Sequence, residues 1–338
     1  MVVDWYNQFV VEMRVEDRAY GRITINEPII IELIKSSLMQ RLQGINQSGG
    51  PVFLEPQRDI TRFEHSIGVW YLLKRFGASL EEQIAGLLHD TPHTAFSHVV
   101  DFVFPNDDHI FHERFTERII LSSKVPEILR KRGIKIEKIL GKEAYHLLDA
   151  DLPDLSADRI DYFLRDTRPD KLFPDSLIGQ FLDGIFVKDS KFYFKDKSLA
   201  SLYAILFMNA GRLLWLDPNS HGSFFLLAGA IKRAMETGRL SEDDLFKTDQ
   251  EVFESLKKIN DVEVKKYMER LSPLTRFLYA SKPDSEFFGP NKPRIVDPWV
   301  EESGRLIRVS SLVPRLREMF EHYKQTYKFL GVKAVEIK

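Results

Sequence analysis

Four side chains able to share one divalent cation follow one another along the chain as His65, the adjacent pair His89 and Asp90, and then Asp158. Mixed imidazole and carboxylate ligation suits zinc, manganese, iron(II) or nickel and leaves coordination positions open for water and substrate. One divalent ion per chain (Mn, Mg, Fe, Ni or Zn) is therefore expected. Histidine is concentrated here: of the nine in the chain, His65, His89, His93, His98, His109 and His112 lie within 48 positions of one another (112 − 65 + 1). Next to a metal that holds phosphate oxygens, His93, His98 and His112 could donate to a leaving oxygen, with Asp101 orienting one ring. Arg62, Arg159 and Arg165 offer planar forks for phosphate, and Tyr162 could stack on or bond to a sugar. Each residue alone has a plainer reading. A single histidine is ordinarily a surface or satisfied core residue, a single arginine a surface ion pair, and an aromatic residue at helical spacing part of the core. His109 reads as loop decoration, and Trp215, Phe224 and Phe225 as packing. The ordered group of four is what points to chemistry.

Helical periodicity dominates the elements that must position these residues. Apolar spacing predicts a helix over Phe63 to Phe76 and another over Leu80 to His89, which Pro92 stops, so that His89 and Asp90 fall at a helix end. Further helices are expected over Thr94 to Phe104 and over Ser156 to Arg165, with Ser156 as N-cap. On the latter, Asp158, Tyr162 and Arg165 share one face. The one hairpin expected before residue 237 turns at Asp189-Ser190. Helices follow over Leu199 to Leu216 and Gly222 to Thr237, and Thr248 with Glu251 has capping-box spacing. A strand pair at Arg294 to Val300 and Arg305 to Val309 precedes a helix from Leu312 to Phe329. The Gly49-Gly50 pair reads as a loop near a ligand.

At 338 residues the chain can bury a sizeable core, and without cysteine it has neither disulfides nor thiolate metal sites. With 48 basic and 50 acidic residues its net charge of -2 gives no global field toward nucleic acid or anionic membrane. No bilayer-length apolar run is present. A cytoplasmic protein is expected.

The blocks Arg62-Phe-Glu-His-Ser-Ile-Gly-Val69, Ala85-Gly-Leu-Leu-His-Asp90, Phe96-Ser-His98 and Asp158-Arg-Ile-Asp-Tyr-Phe-Leu-Arg-Asp166 resemble the HD-domain phosphohydrolases. Within them they are most similar to the branch of bacterial dGTP triphosphohydrolase-like enzymes and animal SAM-and-HD-domain dNTP triphosphohydrolases. The resemblance implies a mainly α fold: an HD-type helical core over residues 1–237 with a small β-hairpin, and an α+β C-terminal region over 238–338. It implies one divalent metal on His65, His89, Asp90 and Asp158, with catalysis by His98, His112, Asp101 and His93. Arg62, Gln47, Arg159, Tyr162 and Asp166 would bind the substrate, and the reaction would release triphosphate from a dNTP in a homo-oligomer. Two branches are disfavoured: no Glu-Asp follows His89-Asp90 as in guanosine-tetraphosphate hydrolases, and the Gly-Tyr-Pro of cyclic-di-GMP phosphodiesterases is missing. The chain also departs from its nearest branch. Pro92 stands where relatives carry glycine, and Asn219-Ser-His221 stands for Tyr-x-His, which removes a tyrosine that would flank the sugar.

Overall fold

The computed structural model of the protein describes residues 12–104, 111–141 and 145–336, apart from the side chains of 112, 113 and 336. His109 and the His112 side chain therefore lie outside the described residues. The fold is mainly helical with small sheets, as expected.

The helices that carry the site begin with α1 (Arg62–Arg75), nucleated by a full capping box in which Thr61 Oγ1 accepts from the Glu64 amide and Glu64 accepts from the Thr61 amide. α1 is buried nearly all round, with Phe63, Ile67, Trp70, Leu72 and Leu73 in the core, so it is the central helix. α2 (Leu80–Leu88) packs on it, starts at the Ser79 cap and leaves His89 as its C-cap residue. That matches the break expected from Pro92. α3 (Ala157–Asp166) also packs on α1, with Ser156 Oγ accepting from the Arg159 amide. Its start is tied down because the amides of Ala157 and Asp158 donate to the carbonyls of Leu147 and Leu148 at 2.7 and 3.2 Å.

Several elements differ from expectation. A hairpin not foreseen, β1 (Met13–Asp17) and β2 (Gly21–Ile25), pairs Val15 with Ile23 and turns Met13, Val15 and Asp17 inward. The Thr94 to Phe104 helix is replaced by a turn, a 3-10 segment Ser97–Val99 and a short helix Val100–Val103. Phe96 and Ser97 take left-handed backbone conformations there (φ 60° and 51°), which an α-helix cannot contain.

The foreseen hairpin, β3 (Ile185–Lys188) and β4 (Lys191–Phe194), turns at Asp189-Ser190, both left-handed as a two-residue turn requires. α4 (Lys197–Ala210) passes into a π-helical turn over Gly211–Trp215 instead of continuing to Leu216. α5 (Pro218–Glu236) starts four residues before the expected Gly222, since Pro218 suits the first turn and Asp217 accepts from the Asn219 and Ser220 amides.

Beyond Gly238 come α6 (Asp249–Lys258), α7 (Val262–Glu269), β5 (Thr275–Tyr279) and β6 (Phe287–Pro290). Then follow β7 (Trp299–Glu302), which begins five residues after the expected Arg294, its partner β8 (Arg305–Arg308), α8 (Pro314–Thr326) and an unforeseen strand β9 (Phe329–Glu336). β7 pairs in parallel with β4, and β9 lies between β5 and β6. A second apolar core joins Phe96, Val99 and Val100 to Leu227 and Ile231 of α5, Leu245, and Val252 and Leu256 of α6. The segments on either side of Gly238 thus share packing. Among the described residues no single helix is long and apolar enough to cross a membrane.

Candidate metal centre and the pocket beside it

α1, the end of α2 and α3 bring His65, His89 and Asp158 together, with one donor atom from each within 4.8 Å of the others. His65 Nε2 lies 3.0 Å and His89 Nε2 3.5 Å from Asp158 Oδ1. Each imidazole is oriented from behind. His89 Nδ1 bonds to the Gly86 carbonyl at 2.7 Å, and His65 Nδ1 to Asp161 Oδ2 at 2.7 Å. This arrangement fixes the ring tautomer that presents Nε2 to a metal.

Asp90 lies against the same cluster, its Oδ1 3.4 Å from His89 Nε2 and its Oδ2 3.7 Å from His65 Nε2. It also accepts from Arg62 at 2.8 Å and stands 3.2 Å from His93 Nε2. Burial alone would raise its pKa, but the charge of Arg62, with His89 and His93, holds it well below the usual carboxylate range.

The donor set fits a divalent cation. His89 Nε2 is buried and makes no hydrogen bond, although two carboxylates face it. The site also attracts positive charge strongly. Burial opposes protonation of His65, yet its bonds to Asp158 and Asp161 and the charge of Asp90 push its pKa up to about 10. A metal on His65, His89 and Asp158 would replace that proton.

Behind the ligands lies a network the sequence did not reveal. Asp161 accepts from His65 and Arg165 Nε (2.8 Å) on Oδ2, and from Tyr20 (2.7 Å) and Arg165 Nη2 (3.0 Å) on Oδ1. Arg165 also donates to Asp17 at 2.8 Å, and the side chains of Arg165, Asp161 and Asp17 are fully buried. Arg165 is therefore a buried structural cation and does not face a phosphate site. The expected line Asp158, Tyr162, Arg165 splits, so that Asp158, Tyr162 and Asp166 lie on a partly exposed edge of α3 while Asp161 and Arg165 are buried toward the β1–β2 hairpin. Gly68 in α1 exists for this network, because a Cβ there would overlap Asp161 Oδ1 and Arg165 Nη2.

Arg62 and Arg159 are engaged within the protein. Arg62 donates to Asp90, to Ser97 Oγ (3.0 Å) and to the Gln47 carbonyl (3.3 Å). Arg159 donates to the carbonyls of Ala150 and Asp154, while its Nε is buried without a partner.

In the second tier, His98 Nδ1 is 3.1 Å from Asp101 Oδ2, and the His93 and His98 rings meet edge to face at 5.1 Å. Asp101 Oδ1 accepts from the Phe111 amide at 3.3 Å. The carboxylate is thus held on both sides.

A polar alcove adjoins the cluster. Trp215 Nε1 donates to Asp166 Oδ2 at 2.9 Å, and Gln47 Nε2 donates to Asp166 Oδ1 at 3.3 Å. Gln47 Oε1 is buried with no partner. Burial pushes Asp166 up to about 6 despite the Trp215 bond. Tyr162 meets Trp215 edge to face at 5.1 Å. Trp215, expected to be packing, is thus part of the alcove, and it sits in the π-helical turn. Such turns are frequent at functional sites. Asn219 is held between Glu55 (2.9 Å) and the Phe277 amide (2.8 Å).

Comparison with known proteins agrees with this geometry. The HD domain family model matches residues 62–166, the span that holds all the expected metal ligands. The uncharacterized protein YdhJ of Bacillus subtilis is 35% identical over 96% of this chain and 100% of its own length. The metal-dependent phosphohydrolase cns2 of Cordyceps militaris is 41% identical over 45% of this chain and 44% of that protein. The deoxynucleoside triphosphate triphosphohydrolase SAMHD1 of Gallus gallus is 33% identical over 36% of this chain and 24% of that protein. A solved phosphohydrolase structure from Bacteroides thetaiotaomicron shares the fold, with a TM-score of 0.70 at 17% identity over 94% of this chain and 98% of that one. With its ligand cluster carried on the matched helices, and a likeness to its Bacillus relative along nearly the whole chain, the protein belongs to the HD-domain phosphohydrolase superfamily.

Proposed function

We propose that the protein hydrolyses deoxynucleoside triphosphates to deoxynucleoside and triphosphate. The observation that carries this reading is the alcove of Gln47, Tyr162, Asp166 and Trp215 beside the ligand cluster, with a buried acceptor, Gln47 Oε1, left for a substrate donor such as a sugar hydroxyl. A nucleoside seated there puts its 5′ ester next to His65, His89 and Asp158. Partial similarity to SAMHD1 supports the same chemistry.

His65, His89 and Asp158, with Asp90 alongside, would hold the ion. When bound, it supplies Lewis-acid polarisation of a phosphoryl oxygen and a water of lowered pKa. With Nδ1 directed to Asp101, His98 uses Nε2 to give a proton to the departing ester oxygen. His93, wedged between Asp90 and His98, donates to the phosphate. The unpartnered Nε of Arg159 supports a further phosphate contact. Arg62 reaches substrate only by loosening a bond to Asp90, Ser97 or Gln47, so its first task is to hold Asp90.

The engagement of Arg62, Arg159 and Arg165 within the protein favours a second reading, cleavage of a nucleotide phosphomonoester or phosphodiester with fewer phosphates to neutralise. Incubating the protein with each dNTP, NTP and nucleoside monophosphate plus Mn, Mg, Ni or Zn, and identifying products chromatographically, separates the two. Deoxynucleoside with intact triphosphate is the expected result, whereas orthophosphate from monophosphates establishes the second reading. No product with any metal, despite full metal occupancy, refutes both and favours a nucleotide-binding regulator.

A further inference from the structure

The loop that carries His93 and His98 is gripped from outside the matched domain. Asp249, the first residue of α6, accepts from the Phe96 amide at 2.7 Å through Oδ1 and from the Asn46 amide at 2.8 Å through Oδ2. One carboxylate thus bridges the residue two before His98 and the residue one before Gln47. Neighbouring contacts strengthen the junction. The Leu245 carbonyl accepts from the Ala95 amide at 2.7 Å, and Arg41 donates to the carbonyls of Phe246, Thr91 and His93 at 3.1, 2.8 and 2.8 Å. Ser97 Oγ donates to the Asn46 carbonyl at 2.6 Å, tying the two loops directly. At the loop before Asn46, Gly44 approaches α6 so closely that a Cβ there would lie 2.6 Å from Thr248 Cγ2.

We propose that Leu245–Asp249 is a clasp that sets the catalytic loop and the Gln47 loop in one register, with Asp249 as the positioning residue for both. The assignment of catalytic roles to His93 and His98 rests on the preceding functional reading, but the clasp itself rests on the bonds just given. The physical need is clear from the backbone. Phe96 and Ser97 hold left-handed conformations that side-chain-bearing residues adopt at a cost, and such strain persists only where surrounding contacts over-determine it. Asp249 supplies the pair of acceptor oxygens that does so, and it comes from the region for which the sequence offered no role.

The test is Asp249→Asn, which keeps the shape but turns one oxygen into a donor facing an N–H. Hydrogen exchange of the metal-loaded protein should accelerate in peptides covering 44–50 and 93–98 together, by roughly tenfold for one lost hydrogen bond, while α1 and α3 and the metal content stay unchanged. Glu251→Ala serves as the control: it removes the reciprocal cap that loosens α6 without touching either amide, and should leave both loops protected. Gly44→Ala, which pushes α6 from the other side, should reproduce the Asp249→Asn signature should that variant fold poorly. Wild-type protection of both loops in Asp249→Asn, or acceleration confined to α6, overturns the clasp. With dATP and Mn, disturbing both loops predicts a fall in kcat together with a rise in KM, because the Gln47 loop binds substrate, whereas a fall in kcat alone in step with the folded fraction refutes the positioning role. Absence of turnover in the wild type refutes the functional reading alone, because the exchange experiment needs no substrate.

Discussion

Asp161→Asn tests the buried network behind the metal centre. All four acceptor sites of the carboxylate are used, by His65, Tyr20 and two Arg165 nitrogens. An amide keeps one oxygen, so in either orientation its NH2 group faces an Arg165 N–H and that bond is lost, while Tyr20 or His65 keeps its contact only by reversing its donor and acceptor roles. Arg165, fully buried, then keeps only Asp17 as a charge partner. Hydrogen bonds to charged groups contribute about 1.5–3 kcal/mol each, and breaking a buried pair costs about 3–5 kcal/mol. Metal-free Asp161→Asn should therefore lose about 3–5 kcal/mol in urea unfolding. His65 also loses the carboxylate that aims its Nε2, so affinity for Mn, read by calorimetry, should fall roughly 10- to 100-fold. A variant whose stability lies within about 0.5 kcal/mol of wild type and whose metal affinity is unchanged would falsify the claim that this network holds the ligand.

Further expectations follow from the same geometry. His98→Ala should retain its metal and lose roughly 100-fold or more in turnover; metal loss equal to that of His65→Ala would make His98 a ligand instead. In metal-free protein the pKa of His65 is raised from 6.5 to about 10, so its contribution to stability is full below about pH 6.5 and disappears as pH rises through about 10. Because the ion displaces that proton, affinity should rise about tenfold per pH unit between pH 7 and 9, with one proton released per ion. Calorimetry in buffers of different ionisation enthalpy measures that release, and its absence shows that His65 is already neutral in the metal-free protein. Gly49→Ala puts a Cβ onto the Phe96 carbonyl oxygen at φ 66°. It should destabilise by about 2–4 kcal/mol from strain and overlap, and an unchanged urea midpoint would contradict the packing of that loop.

The parts legible from sequence are those governed by short-range chemistry. α1, α2 and α3 follow from apolar period, the Ser156 cap and the Pro92 stop, and the β3–β4 turn from its two β-prone runs. His65, His89 and Asp158 were nominated because histidine and aspartate in that order have few other uses, and the fold brings them together. The β1–β2 hairpin has no comparable turn signal, because its strands are joined through Arg18-Ala19-Tyr20, none of them a usual turn residue. β9 begins where the expected Leu312 to Phe329 helix ends and has no local signal of its own, since its pairing partners β5 and β6 lie some forty to sixty residues earlier. Arginine roles were not legible at all. Arg62, Arg159 and Arg165 have identical chemistry in a string of letters, and only burial and neighbouring oxygens decide whether a guanidinium serves the protein or a phosphate.

What the sequence determined by itself was thus the inventory, its helical carriers and the class of chemistry, because ligand type and local period are written residue by residue. Tertiary structure alone decided the support: Asp161 and Arg165 behind His65, Trp215 beside Asp166, and Asp249 across two loops. Those contacts join residues from 49 to 203 positions apart. Their partners are chosen by where the chain folds back on itself, and nothing in the local sequence encodes that choice.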